Sequence, residues 1–527
     1  MLPIKIRSVY SVSQSVLKIK DIVKKAKESG LDYCCLCDID SLAGSYEFYK
    51  ECNKNNIKPV IGCEFSLQES SLILFAKNRK GWFRLCNLLS LANTRYKDKP
   101  ILCLSDLNDE KDIIAIVDKR KVSVWCFIES LYVFENLDDI RYFSSLDHSD
   151  LKLLLCSKMN VSMPKVQKKL DNNEEFQYSY FFNNKYEFDG FDNVTPDFVN
   201  EVEKFKFEQD PVLPKCYDGD EAEIIRSFCK DGWKKLRTNL WDADVYGARV
   251  REELAMFDKF NLSGYFLIIK DVIDYARGKG WLSIARGSVG GSIVAYLLGI
   301  SIADPIKHKL ILSRFINAAR MGDKDSQASL PDIDIDVQSE HREELIEYVR
   351  TKYGHDCVSQ IITFSRLKGS GALKEVLRMH EACDFYTSNL ITKNMPKEAK
   401  VAGSMNEDKE TSLILWTLKR MPEIFKDFCQ YKDGEYSGEF SEYFKQAIRI
   451  EGCIKSTGKH AAGVLISNEP LQNKLPMVYD PNSSNLICGM EFGDIDSSGI
   501  SVKLDVLGVA ALTKIQNVSR LLKFGKI

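Results

Sequence analysis

The sequence predicts a mixed α/β fold, and three features of the 527-residue chain lead to this class. Near the N-terminus, an apolar strand pattern at residues 32–38 is followed by a helical pattern at 42–55 and a second strand at 59–65. Helical periodicity dominates residues 220–279, and a strand with strict polar–apolar alternation lies at residues 330–337. Strand–helix–strand alternation of this kind is typical of a parallel α/β layer or barrel.

The other predicted elements follow from side-chain periodicity and from glycines at helix ends. Residues 18–29 predict an amphipathic helix that ends at Gly30, and residues 340–354 predict a helix that ends at Gly354. One face of the second helix is apolar and consists of Leu345, Ile346, Val349 and Tyr353. The remaining expectations are helices at 220–240, 248–279, 293–300 and 413–450, strands at 357–364 and 501–508, irregular structure at 165–200, a polar linker at 394–412 and loops at 479–499.

Composition excludes several classes of protein. Hydrophobic residues make up 44% and charged residues 28% of the chain, which argues against disorder. The net charge of −2 provides no global basic signature, so nucleic-acid contacts would come from local Lys/Arg patches or from another chain. We find no secretory signal and no apolar run of about 20 residues, which predicts a cytoplasmic protein without a membrane span.

The 16 cysteines are scattered through apolar segments, which favours reduced, buried thiols over a disulfide framework. Cys34 and Cys37 have the spacing of half a zinc site, but no second pair follows at a ligand-like distance. We therefore expect no zinc.

The alternating strand at residues 330–337 is the strongest chemical signal. Alternation directs Asp332, Asp334 and Asp336 to one face of the strand, while its apolar residues face the core. Neighbouring carboxylates repel one another unless a cation lies between them, and hard oxygen ligands suit Mg²⁺ or Mn²⁺. The alternative is a solvated acidic face. A calcium loop is excluded because Val337 occupies the position that requires glycine.

A glycine-rich segment at residues 286–292 (RGSVGGS) precedes an apolar helix. Glycines allow the backbone to approach phosphate closely, the helix N-terminus offers free N–H groups, and Arg286 can bind phosphate through two donors. The segment lacks the Gly-Lys-Ser/Thr of a Walker loop. The alternative is a tight turn that permits close helix packing.

Two weaker signals lie nearer the C-terminus. Alternation in the strand at 501–508 directs Lys503 and Asp505 to the same face, which on its own is also typical of a surface ion pair. Residues 457–463 contain a glycine-flanked pair, Lys459 and His460, that could face phosphates. A lone histidine in such a segment is more often structural.

These segments occur in a particular order: RGSVGGSIVAYLLGI, DPIKHKLILSRFIN, SLPDIDIDV, YGHDCVSQIITF, TGKHAAGVLIS and VKLDVLG. In this order the chain resembles the catalytic subunit of bacterial DNA polymerase III, the C-family replicative polymerases, strongly from about residue 260 to residue 515. The resemblance implies a palm of the polymerase β-like nucleotidyl-transferase fold. It also implies template-directed transfer of a nucleotide to a primer 3′-hydroxyl with release of pyrophosphate.

The resemblance assigns roles to individual residues. Its three metal-binding aspartates correspond to Asp334, Asp336 and Asp505, and two Mg²⁺ ions are expected, with Mn²⁺ possible in their place. Lys459 and His460 match a motif at the thumb–palm border. The residues that match family positions near the incoming triphosphate are Arg286, Gly287, Ser288, Arg314, Arg320 and Lys503.

By the same resemblance, the first domain is similar to a polymerase-and-histidinol-phosphatase (PHP) domain, a distorted α/β barrel. Active PHP domains carry His-x-His and Asp-His, where this chain has Lys5, Arg7 and Asp38-Ile39; Glu64 is retained. Lysine and arginine only donate hydrogen bonds, so we expect no metal cluster, no proofreading and a scaffolding role. The expected domains are PHP-like 1–205, palm 206–365, helical thumb 366–475, second palm part 476–515 and the start of the fingers at 516–527.

Family members continue for hundreds of residues beyond the third aspartate. We therefore expect the N-terminal half of a split polymerase, phage-encoded or from a rearranged bacterial gene, with a truncated polypeptide as the alternative. The expected partners are primer–template DNA, deoxynucleoside triphosphates, a second chain that carries the fingers and C-terminal domains, and a sliding clamp bound through that chain. The alternative functions are an inactive replisome scaffold and a phosphoesterase; Lys5, Arg7 and Ile39 disfavour the latter.

Overall fold

The structure is a computed structural model, and its residues form two compact units. The first unit comprises Met1–Lys204 and Phe364–Gly458, and the second comprises Phe205–Thr363 and Lys459–Ile527. The structure describes residues 4–68, 70–95, 100–107, 110–118, 128–134, 139–140, 149–172, 195–209, 212–316, 330–480, 483 and 485–524.

The first unit contains a five-stranded mixed sheet in the order β2-β3-β4-β5-β6 and a parallel pair formed by β1 and β7. The strands are β1 Lys5–Ile6, β2 Tyr33–Ile39, β3 Lys58–Ser66, β4 Ser71–Ala76, β5 Glu110–Asp118, β6 Ile128–Phe134 and β7 Asp139–Ile140. The helices are α1 Ile19–Glu28, α2 Ser45–Lys54, α3 Arg79–Arg95, α4 Ser149–Met159, α5 Met163–Asp171 and α6 Phe198–Glu201. The parallel pairing of β2 with β3 around α2 confirms the predicted strand–helix–strand unit.

The irregular structure predicted at 165–200 was partly wrong, because α5 covers its first residues and α6 its last ones. Pro164 at the start of α5 and Val166 in the core explain this helix, since a proline is tolerated in the first turn and one buried residue anchors the turn. The rest of that prediction, residues 173–194, lies outside the described residues.

The second segment of this unit is mainly helical. Its helices are α12 Gly369–Met379, α13 Phe385–Thr392, α14 Glu398–Glu407, α15 Leu413–Arg420 and α16 Ser441–Ile450. The predicted polar linker at 394–412 was wrong, because α14 lies within it. The continuous helical prediction over 413–450 also failed, because a hairpin of β11 Gln430–Lys432 and β12 Glu435–Ser437 interrupts it. Asp433 and Gly434 at the turn have φ of +51° and +92°, and an Asp-Gly pair is well suited to a two-residue hairpin turn.

The second unit is built on a seven-stranded sheet in the order β14-β15-β10-β13-β16-β9-β8. Its strands are β8 Ser283–Arg286, β9 Asp334–Gln338, β10 Val358–Arg366, β13 Ile454–Ile466, β14 Met477–Tyr479, β15 Leu486–Cys488 and β16 Val502–Val509. Its helices are α7 Glu221–Leu236, α8 Ala243–Lys259, α9 Ser263–Gly278, α10 Ile293–Leu297, α11 Arg342–Tyr353, α17 Phe492–Ser498 and α18 Ala510–Phe524. The mixed α/β class predicted from the sequence is thus confirmed.

The core of the second unit lies between the sheet and α7–α11. Ile333, Ile335 and Val337 are buried in it, as alternation along the strand predicts, so the aspartates of the same segment lie on the other side of β9. The predicted apolar face of α11 also joins this core, with Gly354 at a φ of +103° after the last turn.

Candidate metal and phosphate site

Three adjacent strands place Arg286, Asp334 and Asp505 in one row across the sheet. Asp334 of β9 is in register with Asp505 of the parallel strand β16 and with Arg286 of the antiparallel strand β8. Residues in register on neighbouring strands direct their side chains to the same face. Residues more than 200 positions apart in sequence are thereby brought to one face of the sheet.

The carboxylates that converge most closely are Asp332, Asp334 and Asp505. One ligand oxygen from each lies within 4.8 Å of the others, and no further group of at least three such side chains occurs among the described residues. Asp336 instead accepts a hydrogen bond from Arg286 Nε at 2.8 Å. Two of the three predicted aspartates therefore converge directly. Asp332 joins them; the sequence places it on the same face, although the family motif gave it no role.

Two basic side chains balance the carboxylates. Arg286 Nη2 lies 3.4 Å from Asp334 Oδ2, and Lys503 Nζ lies 2.7 Å from Asp505 Oδ2, which confirms the shared face predicted for the last pair. The Asp332 carboxyl has a pKa raised above its ordinary value, first by desolvation and next by the charge of Asp505. Tyr265, buried beneath the site, has its phenol pKa raised by burial and by the same carboxylates.

The carboxylate oxygens of this group are suitable ligands for a divalent cation. Asp505 is buried, and its Oδ1 atom lacks a hydrogen-bond partner among the described residues, although a buried carboxylate oxygen normally has one. A bound cation would satisfy that oxygen and relieve the repulsion between the three carboxylates. Carboxylate oxygens are the ligands that Mg²⁺ and Mn²⁺ prefer, and no thiol or imidazole is part of the converging group.

The glycine-rich segment forms a tight turn beside this site. Residues Gly287–Gly291 form one 3₁₀ turn after β8, and Gly287 has a φ of +87°, which favours glycine. Ser288 lies on the exposed side of the turn, and the side chain of Arg286 is 49% exposed. This turn can present backbone and guanidinium donors to an anion next to the carboxylates.

The expectation that the following helix offers free N–H groups was wrong. The buried Glu253 carboxylate accepts hydrogen bonds from the backbone N–H groups of Ile293 (3.0 Å) and Val294 (3.1 Å), and Ser292 Oγ caps Ala295. Ser292 Oγ in turn donates to Glu253 at 2.7 Å. The carboxylate of Glu253, a residue of α8, thus occupies the N-terminus of α10. The periodicity of α8 did not indicate this role for Glu253.

We predict that Glu253→Ala lowers the stability of the second unit, because it leaves buried N–H and hydroxyl donors without an acceptor. The expected loss is roughly 3 kcal/mol in the free energy of unfolding, measured by urea denaturation. The adjacent Glu252 is exposed, so Glu252→Ala is the matched control and should unfold like the wild type. Equal stability of the two variants would contradict this role for Glu253.

The other predicted phosphate-binding residues have varied environments. Lys459 Nζ pairs with the buried Asp480 at 3.3 Å, and Arg314 is exposed at the end of a short 3₁₀ turn. His460 Nδ1 accepts a hydrogen bond from Gly463 N at 2.7 Å, and burial lowers the pKa of its ring, so the imidazole is neutral at neutral pH. Arg320 lies outside the described residues.

The two carboxylates retained from the PHP motif, Glu64 and Asp38, contact other side chains of the first unit. Glu64 pairs with basic side chains, and Asp38 accepts hydrogen bonds from serines. Arg7 Nε donates to Glu64 Oε2 at 3.0 Å, and Lys5 Nζ lies 3.1 Å from Glu64 Oε1. Asp38 accepts from Ser8 N and Ser8 Oγ, both at 2.7 Å, and from Ser11 Oγ at 2.6 Å. Lys5 and Arg7, which occupy the positions of the His-x-His pair, therefore contact Glu64 directly.

No helix among the described residues is both long and apolar enough to cross a membrane.

Comparisons with known proteins agree with the resemblance seen in the sequence. A family model described as "PHP domain" matches residues 4–181, and one described as "Bacterial DNA polymerase III alpha NTPase domain" matches residues 223–508. The chain is 29% identical to the DNA polymerase III subunit alpha of Ureaplasma parvum, over 98% of this chain and 51% of that protein. It is 28% identical to that of Aquifex aeolicus, over 98% and 51%, and 27% identical to that of Streptococcus pyogenes serotype M3, over 97% and 48%.

The chain thus spans about half the length of the curated relatives that it matches. The polymerase model alone covers more than half of the chain and includes the row of Arg286, Asp334 and Asp505. The protein therefore belongs to the bacterial DNA polymerase III alpha family.

Proposed function

We propose that this chain provides the palm of a DNA polymerase that transfers deoxynucleoside monophosphates to a primer 3′-hydroxyl. The observation that carries the proposal is the three-strand row of Arg286, Asp334 and Asp505, with Asp332 beside it and Asp336 bound to Arg286. Nucleotidyl transfer needs clustered carboxylates for divalent cations and a positive group for the triphosphate, and this face offers both.

In this proposal, Asp334, Asp336 and Asp505 hold Mg²⁺, with Asp332 as an additional carboxylate at the same face. When bound, such ions supply charge stabilisation at the attacking and leaving oxygens of the transfer. Arg286, which contacts Asp334 and Asp336 here, would be the residue that binds the triphosphate of a nucleotide at this face. Gly287 and Ser288 approach the phosphates with their backbone, and Lys503 neutralises charge beside Asp505.

Arg314, Arg320, Lys459 and His460 are proposed to extend the triphosphate site. Since the ring of His460 is neutral, it would donate one hydrogen bond and would not act as a fixed positive charge. We further propose the domain roles stated from the sequence: a PHP-like scaffold at 1–205, palm at 206–365 and 476–515, a thumb at 366–475 and the start of the fingers at 516–527.

The part of the polymerase that corresponds to the other half of the relatives is proposed to come from a second polypeptide with the fingers and the clamp-binding region. Primer extension tests this hypothesis directly. Extension by an equimolar mixture of the 527-residue chain and the second polypeptide, but not by either alone, is the expected result. Robust extension by this chain alone would contradict the split architecture.

We predict that substitutions of the individual aspartates weaken Mn²⁺ binding to different degrees. Asp334→Asn and Asp505→Asn should each weaken Mn²⁺ binding at least about tenfold, because each removes a charged ligand from the centre of the group. Asp332→Asn is expected to have a smaller effect, because Asp332 is the most exposed of the three converging carboxylates. Mn²⁺ titration followed by electron paramagnetic resonance measures this without any turnover.

Asp356→Asn provides a matched control, since this aspartate belongs to the same unit but is not part of the converging group. If Asp332→Asn abolished Mn²⁺ binding while Asp336→Asn left it unchanged, the ligand set would be the converging trio and not the set implied by the family motif. Unchanged binding in Asp334→Asn would contradict the site altogether.

A further inference from the structure

The ammonium group of Lys503 has an aromatic neighbour as well as a carboxylate partner. Its Nζ atom lies 2.7 Å from Asp505 Oδ2 and 3.6 Å from the centroid of the Phe492 ring. A cation above the face of an aromatic ring is attracted by the negative charge density of that face. The ammonium is therefore held from two sides, and the Lys503 side chain is only 13% exposed.

The segment between α17 and β16 brings the ring to the lysine. Phe492 is the first residue of α17, and the helix ends at Gly499, whose φ of +64° is typical of a glycine that closes a helix. Ile495 and Ile500 are buried and anchor this segment independently of the ring. Phe492 itself is only partly buried and does not belong to the core between the sheet and α7–α11. Packing in that core therefore does not account for this ring.

The carboxylates around Lys503 make the position of its ammonium important. Desolvation raises the pKa of the Asp332 and Asp496 carboxyls, and the charge of Lys503 opposes this rise in both. Lys503 thus has two acidic neighbours besides Asp505, and an ammonium held by Asp505 alone could move towards either of them. The Phe492 ring attracts the ammonium without adding a negative charge, so the cation stays available for a phosphate group.

We propose that Phe492 is a positioning residue, whose ring holds the Lys503 ammonium on Asp505 Oδ2 for contact with a nucleoside triphosphate. The inference rests on the proposed function, in which Lys503 lies at the triphosphate site. An ammonium has three N–H donors, so Lys503 can bind a phosphate oxygen while it retains Asp505. Because Lys503 contacts Oδ2, the Oδ1 atom of Asp505, which has no hydrogen-bond partner among the described residues, stays open for a cation.

Chemical labelling of the full chain tests the contact itself, without nucleotide or metal. Acetic anhydride acetylates lysines, and peptide mass spectrometry gives the rate at each of them. Phe492→Leu should raise the rate at Lys503 at least about threefold, because the ring no longer covers the ammonium. Phe492→Tyr should be labelled like the wild type, since it keeps the aromatic face. Equal rates at Lys503 in the wild type and in Phe492→Leu would overturn the proposal.

A second contact between a lysine and a phenylalanine of the same unit provides the matched control. Lys270 Nζ lies 4.7 Å from the centroid of the Phe228 ring, and this lysine pairs with Asp274, which is not part of the converging group. Phe228→Leu should leave the labelling of Lys503 unchanged. An equal rise at Lys503 in Phe228→Leu would indicate a general loosening of the unit and would overturn the proposal.

Isothermal titration with dATP and Mn²⁺, without DNA, tests the consequence for nucleotide binding. Phe492→Leu should weaken dATP binding about fivefold, as expected for a partly desolvated contact between a cation and a ring. Lys503→Met should weaken it at least as much. In the Lys503→Met background, Phe492→Leu should have no further effect, because the two residues act through one contact. Independent, additive effects of the two substitutions would overturn the proposal.

The two measurements separate this inference from the proposed function. Faster labelling of Lys503 in Phe492→Leu, together with no dATP binding by the wild type, would contradict the proposed triphosphate site and leave the positioning of the ammonium standing. Unchanged labelling, together with dATP binding that depends on Lys503, would leave the proposed function standing and contradict the role of Phe492.

Discussion

Asp505→Asn should reduce primer extension by the reconstituted polymerase about 10³-fold or more, since a metal-bound carboxylate contributes several kcal/mol of transition-state stabilisation. Asp505 is the buried member of the converging group, and its Oδ1 oxygen has no hydrogen-bond partner among the described residues. Asparagine keeps the size of the side chain but removes the charge that holds a divalent cation. Single-turnover extension with saturating nucleotide measures the chemical step.

A second active-site variant and a surface control accompany this prediction. Asp334→Asn should have an effect of similar size, because Asp334 is in register with Asp505 on the neighbouring strand. The exposed Asp433 in the turn of the β11–β12 hairpin is a matched surface aspartate, and Asp433→Asn should extend like the wild type. If Asp334→Asn and Asp505→Asn were both as active as Asp433→Asn, the chain would be an inactive scaffold within its complex.

Arg7→Met should destabilise the first unit by about 3–5 kcal/mol, the usual cost of removing one partner from a buried ion pair. Arg7 and Glu64 are both buried, and methionine fills much of the same volume without the charge. Without Arg7, the Glu64 carboxylate would retain only Lys5 and Ser71 as close partners among the contacts described at its two oxygens. Differential scanning calorimetry of the full chain measures the shift of the corresponding transition.

The control for Arg7→Met is an exposed pair of the same kind. Lys24 and Glu28 are 3.9 Å apart on the surface of α1, and Lys24→Met should leave the transition unchanged within error. The double variant Arg7→Met/Glu64→Gln should recover most of the lost stability, because it removes the buried charge as well. Failure of that recovery would show that Arg7 acts through packing and not through its charge.

The Arg7–Glu64 ion pair makes the stability of the first unit depend on pH. Arg7 and Lys5 lower the pKa of Glu64 from 4.5 to about 2, against the opposing effect of burial. A lowered carboxyl pKa stabilises the fold above about pH 4.5, and this contribution, about 3 kcal/mol, disappears as the pH falls towards 2. Asp38 has the opposite effect on stability as the pH falls, because burial raises the pKa of its carboxyl. Comparison of wild type with Glu64→Gln at pH 7 and at pH 3 isolates the Glu64 contribution.

The sequence by itself determined the local chemistry of the site. Alternation along residues 330–337 separated the aspartates from the buried Ile333 and Ile335, and the same rule placed Lys503 beside Asp505, because strand side chains alternate strictly between two faces. The order of the motifs predicted the family, and the sequence also showed where the PHP histidines are replaced. The missed hairpin at Asp433-Gly434 was also readable, since that dipeptide is a known turn signal.

Only the tertiary structure decided which of these groups meet. The register of β8, β9 and β16 aligned Arg286, Asp334 and Asp505, and no local pattern specifies which strands become neighbours. Long-range packing also placed Glu253 at the N-terminus of α10. Periodicity predicts that a helix has an apolar side, but the direction in which that side points depends on what the helix packs against, which is a property of the folded chain and its partners.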